Sequence, residues 1–188
     1  MNRKKIVCIG DSLTAGYGVE TYQRWSNLLS SALNIEVINS GISGDTTAGM
    51  LARLYESTIK HKPNYMIITG GTNDLAFNLP DNLIIANLLA MTRLAKHHDI
   101  IPIIGIPTPF FILGDVTDES PFIDASNLSK HTLSFQKTLR RFCLSDDQHF
   151  IDFSLHMHSA LFLPDGLHPN EKGHVQMSEN ARLFFNQL

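Results

Sequence analysis

The chain has little that would tie it to metal, membrane or nucleic acid. Its two cysteines, Cys8 in an apolar run and Cys143 in a helical stretch, show no metal-binding or redox spacing. Both read as buried or partly buried free thiols. Lysine and arginine number 15 against 18 acidic residues, a formal net charge of -3. That leaves no basic footprint for nucleic acid and no polybasic patch for a membrane surface. No apolar stretch approaches the length of a spanning helix, so integral membrane association is not expected. The basic start MNRKK is followed by a short apolar run, Ile6 to Ile9, too brief for the core of a signal peptide. The expectation is a cytoplasmic protein. Repeats, low-complexity tracts and linkers are missing too, and the 188 residues read as a single domain able to bury a sizeable core. Which apolar residues stay exposed is not written in the sequence, so homo-oligomer formation stays open.

What is present is an ordinary globular composition, 43% hydrophobic and 18% charged, with strand and helix patterns in strict alternation. Apolar runs predict strands at Ile6–Ile9, Ile35–Asn39, Tyr65–Thr69, Ile100–Ile106 and His149–Phe153. Between them, Trp25, Leu28, Leu29, Ala32 and Leu33 recur at helical spacing and form one apolar stripe. Met50, Leu51 and Leu54 mark a second helix, with Asp45 the expected N-cap. Leu83–Lys96 is a strongly apolar third. Leu128, Phe135, Leu139 and Phe142 mark a fourth. A last helix begins near Asn170 and should bury Met177, Ala181, Phe184, Phe185 and Leu188. Nine histidines are many for this length; His97 and His98 fall at a solvated helix end. This alternation predicts a doubly wound α/β fold: a five-stranded parallel sheet with helices on both faces, a three-layer α/β/α sandwich.

In such a sheet the ligand site lies off the carboxyl ends of the strands. There the sequence puts GDSLT at Gly10, SGISGD before the second helix, GGTND after the third strand, and PDGLHPN ahead of the last helix. Ser12 sits where a strand ends beside a glycine, a place that can hold a hydroxyl exposed on a tight turn. Alone it would serve equally as a turn or helix-cap residue. Asp165 and His168 are spaced so that the carboxylate can accept the imidazole Nδ1–H and leave Nε2 free for a hydroxyl proton. Alone they would equally make a surface turn capping the last helix. Gly44 can bring a backbone N–H close to a ligand, and Asn73 offers two side-chain donors, although either could simply shape its turn. Together the five residues supply what acyl transfer needs: a nucleophile, an oriented base and donors for an oxyanion.

The four blocks GDSLT, SGISGDT, GTND and DGLHP, in that order across nearly the whole chain, resemble those of the SGNH hydrolases, the GDSL esterase/lipase superfamily. The likeness is nearest to small single-domain bacterial thioesterase I/lysophospholipase-like members. It implies a flavodoxin-like fold, Ser12 as nucleophile, His168 as base and Asp165 as its orienting partner. It implies the N–H groups of Ser12 and Gly44 and the Asn73 side chain as oxyanion donors, and neither metal nor organic cofactor. The implied substrate is a small-molecule ester or thioester, and the apolar run Phe110–Leu113 points to a small to medium acyl group; carbohydrate O-acetyl groups and lysophospholipids present the same carbonyl. A nucleotide- or ligand-binding module on the same fold is the competing reading, but GDSLTAG lacks both the P-loop lysine and the G-x-G-x-x-G spacing. The segment Pro107–Asn127, opening PTPFFILGD, is read either as an acyl-binding wall or lid or as a loop packed by its own aromatics. Phe110 and Phe111, with Leu75 and Phe77 after GTND, are its candidate substrate contacts.

Overall fold

The structure is a computed structural model that describes residues 4–113 and 125–188. The apolar runs form five strands: β1 (Lys5–Gly10), β2 (Glu36–Gly41), β3 (Tyr65–Thr69), β4 (Ile101–Ile106) and β5 (Phe150–Asp152). All pair in parallel, in the order β2-β1-β3-β4-β5. This is the flavodoxin-like winding, whose direction reverses at β1 and β3 and opens a crevice there.

Parallel strands covered on both faces need apolar side chains at successive positions, and β1, β3 and β4 supply them. Cys8, Ile67, Ile103 and Ile151 point to the layer built by α2 (Trp25–Leu33) and α7 (Glu171–Phe185). Ile9, Ile68 and Ile104 point the other way, to α3 (Thr47–Ser57), α5 (Asp81–His97) and α6 (Ala125–Ser145). Trp25 anchors the first layer: it is fully buried, its ring centroid lies 4.9 Å from that of Phe153, and its indole N–H donates to Leu13 O at 3.1 Å. Burying an apolar side chain of this kind is worth about 1.5–3 kcal/mol. Two short helices complete the described α-helices, α1 (Ser12–Ala15) and α4 (Thr72–Ala76). Among the described residues no helix is long and apolar enough to cross a membrane.

Several expectations need correction. The N-cap of α3 is Thr46, whose side chain accepts from Gly49 N–H, and the Asp45 carboxylate pairs with Arg53 instead. β2 runs Glu36–Gly41 rather than Ile35–Asn39, and β5 is trimmed to Phe150–Asp152. Both are edge strands: β2 follows β1 residue for residue from Glu36 to Gly41, whereas β5 pairs with β4 over three residues alone. Leu188 is exposed, past the end of α7, and Phe184 and Phe185 are only partly buried. Cys8 and Cys143 are buried free thiols. Of Pro107–Asn127, residues 114–124 lie outside the described residues. The described start is tied down: Pro107 O accepts from Gln136, Phe110 O from Ser129, and Phe111 N–H donates to Gly166 O.

Candidate active site

Gly10 pairs with Gly41 on one side and Thr69 on the other, so three strands end abreast. The turns that follow are therefore neighbours. At Gly10 a Cβ would run into the Thr14 side chain and Thr69 O, so the sharp exit from β1 requires glycine. Asp11 then caps α1, accepting Leu13 N–H at 2.9 Å, and Ser12 becomes the first helical residue. Ser12 is only 8% exposed.

The second turn is held from three directions. Gly10 O accepts from Ile42 N–H at 3.0 Å and from Arg53 at 3.1 Å, while Arg53 Nε reaches Asp45 at 2.7 Å. Gly44 takes a left-handed φ of 81°, with no atom within 4 Å of where a Cβ would stand, so its backbone faces open space. The third turn bonds to the second. Asn73 Nδ2 donates to Asp45 O at 2.9 Å, and one amide N–H can use that bond while the other stays free to point elsewhere. Next to it, the buried Asp74 carboxylate accepts Thr47 N–H at 2.9 Å and Thr47 Oγ1 at 2.6 Å, fixing the start of α3.

The fourth turn comes from the other end of the chain. Asp165 Oδ1 accepts both Leu167 N–H and His168 N–H at 2.9 Å, and its Oδ2 lies 2.7 Å from His168 Nδ1. An ionised carboxylate only accepts, so Nδ1 carries the proton and Nε2 is left as an acceptor. Nε2 stands 2.9 Å from Ser12 Oγ. Partial burial acts to raise the Asp165 carboxyl, but the bonds from His168 and Leu167 outweigh it and hold it below the ordinary value. Asp11 shows the opposite balance. Full burial, reinforced by the charges of Asp74 and Asp45, pushes its carboxyl up to about 7 against the bond from Leu13.

The residues proposed from sequence thus converge: Ser12, His168 and Asp165 are hydrogen-bonded in a line, with the Gly44 and Asn73 turns joined to each other beside them. The apolar candidates separate. Leu75 and Phe110 pack into the core, at 2% and 8% exposure, whereas Phe77 is exposed. Phe111 is half-buried, its ring edge-on to Phe162 at 5.0 Å. Sequence reading passed over Arg53 and Asp74, which hold the turns, and Tyr17, whose ring centroid lies 4.4 Å from that of His168. A lone tyrosine after GDSLTAG belongs to no periodic pattern.

Residues 8–176 match the GDSL-like lipase/acylhydrolase family. The chain belongs to this family. It is similar to an arylesterase of Vibrio mimicus, 40% identical over 98 residues, or 50% of this chain and 49% of the arylesterase. Esterase TesA of Pseudomonas aeruginosa is 36% identical over 96 residues, 48% of either chain. The match spans about half the length of each relative. Solved GDSL folds cover more: a member of the lipolytic G-D-S-L family from Veillonella parvula superposes with a TM-score of 0.78, 23% identity, and coverage of 98% of this chain and 100% of the other. Psychrotrophic esterase EstA from Pseudoalteromonas sp. gives 0.75 at 23% identity, with 98% and 97% coverage. At that identity the likeness is one of fold.

Proposed function

We propose that this GDSL-family chain is a serine esterase that hydrolyses carboxylic esters or thioesters of small to medium acyl groups through an acyl-enzyme on Ser12. The observation that carries the reading is the unbroken line Asp165–His168–Ser12, with contacts of 2.7 and 2.9 Å. In the first half-reaction Ser12 Oγ attacks the acyl carbon as its proton passes to His168 Nε2. The carbonyl oxygen becomes an oxyanion, for which the N–H groups of Ser12 and Gly44 and the Asn73 amide are the candidate donors. Collapse expels the alcohol or thiol, which takes the proton from His168, and the acyl group stays on Ser12. Water then attacks the acyl carbon with His168 again as base; collapse breaks the bond to Ser12 Oγ, which takes the proton back from His168, and the acid leaves. The curated relatives named an arylesterase and an esterase support ester chemistry. Carbohydrate O-acetyl esters and lysophospholipids are the alternative substrates of the same mechanism; an acetylxylan esterase from Geobacillus stearothermophilus shares the fold at a TM-score of 0.75.

The decisive experiment is Ser12→Ala with p-nitrophenyl acetate and butyrate, alongside labelling by a fluorophosphonate probe. Loss of turnover together with loss of labelling is expected. Wild-type turnover in the variant would remove the nucleophile, and with it the reading. A panel of acyl lengths and leaving groups, ranked by kcat/KM, then sorts the substrate classes.

A further inference from the structure

Two hydrogen bonds in the plane of the imidazole fix its two nitrogens but leave the ring free to tilt about the line joining them. Tyr17 covers the ring face, with centroids 4.4 Å apart and planes inclined at 39°. Its own placement is built in. Ser12 O accepts both Gly16 N–H at 2.9 Å and Tyr17 N–H at 3.1 Å, and Gly16 and Gly18 turn the chain with left-handed φ values of 78° and 80°. At Gly18 a Cβ would strike the Leu163 side chain, and Leu163 N–H donates to His168 O at 2.8 Å. The loop that presents the tyrosine is thus seated between the serine turn and the histidine turn.

We propose that Tyr17 is a positioning residue for His168, holding the imidazole in place through the half of the cycle in which Ser12 is acylated. This inference rests on the serine esterase reading. Once Ser12 Oγ carries the acyl group it has no hydrogen to give, so the bond to Nε2 is lost. The ring is then held by Asp165 at Nδ1 and by the tyrosine face, while Nε2 must direct a water at the acyl carbon. Removing the face leaves acylation supported by two hydrogen bonds and deacylation by one.

The test is stopped-flow hydrolysis of p-nitrophenyl butyrate by wild type, Tyr17→Ala and Tyr17→Phe, with Ser12→Ala in parallel. Tyr17 is 54% exposed, so truncation leaves the fold intact; thermal melts check this. For Tyr17→Ala, kcat falls about 10-fold and KM falls with it, kcat/KM holds within about threefold, and a burst approaching one p-nitrophenol per chain precedes the slowed steady state. Tyr17→Phe keeps the ring face and restores wild-type kcat. An unchanged kcat in Tyr17→Ala, or a fall in kcat/KM equal to that in kcat with no burst, overturns the proposal while Ser12→Ala stays inactive. Turnover by Ser12→Ala would overturn the esterase reading beneath it.

Discussion

A single carboxylate decides which nitrogen of His168 can work. Asp165 accepts from Nδ1, which leaves Nε2 an acceptor toward the serine hydroxyl. In Asp165→Asn an amide N–H can face Nδ1, and the ring then carries its proton on Nε2, where it repels the Ser12 hydroxyl hydrogen. Turnover should fall roughly 1,000- to 10,000-fold with little change in melting temperature. A variant that keeps wild-type kcat would show that the tautomer is set elsewhere. Because hydrogen bonds hold the Asp165 carboxyl below its ordinary value, it stays ionised as the pH falls through the weakly acid range. Asp165 therefore adds no proton of its own to the acid side of the rate profile, and log kcat/KM should rise there with a slope no greater than one. A slope of two would mean that Asp165 titrates alongside. Under the proposed mechanism, Asn73→Ala removes a candidate oxyanion donor and should cost roughly 100- to 1,000-fold in kcat, with KM within a few-fold of wild type.

At the scale of elements, the site depends on turns fitted against one another. Gly166 is the tightest junction: its φ of 67° lies in the left-handed region, and a Cβ there would collide with Phe111 O. Gly166→Ala should destabilise the protein by about 1–3 kcal/mol in urea unfolding. It should also lower kcat, because the Asp165–His168 turn has to move away from β4's exit. Wild-type stability in that variant would mean the two segments are not held together. The same junction shows how far the sequence can be read. Strands such as Tyr65–Thr69 announce themselves because both faces are buried and the apolar run is continuous. The edge strand β2, with Glu36 exposed, shifts by a residue at its start and extends to Gly41. The helices α1 and α4, four and five residues long, are too short for any period to show, yet they carry Ser12 and Asn73. Those two residues were legible only through their motifs. Asp45 and Thr46 are both eligible caps standing side by side, and the choice fell to Thr46 because Arg53 claims Asp45. No local pattern records a partner eight residues away. Tyr17 was invisible for the same reason, since its partner His168 is distant in sequence and near only in the fold.

At the scale of the whole molecule, two buried titratable groups pull stability in opposite directions with pH. His174 is fully buried, and its Nδ1 accepts Trp25 N–H at 3.3 Å, which leaves the ring neutral. Burial first, then the positive charge of Arg24, brings it down to about 4 from 6.5. The unfolded chain therefore binds a proton that the fold refuses, and stability from this group is lost as the pH falls from 6.5 toward 4. Asp11 is raised from 3.8 to about 7, so the fold keeps a proton that the unfolded chain releases. Its contribution is intact in acid and is lost as the pH rises through that window. Between roughly pH 4.5 and 6.5 the two slopes oppose each other at about 1.4 kcal/mol per unit each, and the wild type hides both. Single substitutions should uncover them. Measured by urea unfolding and referenced to wild type at each pH, Asp11→Asn should gain about 2–3 kcal/mol in going from pH 4.5 to 6.5. His174→Gln should lose a similar amount over the same interval. Differences of the same sign in the two variants would mean that one of these groups titrates in the fold much as it does in the unfolded chain.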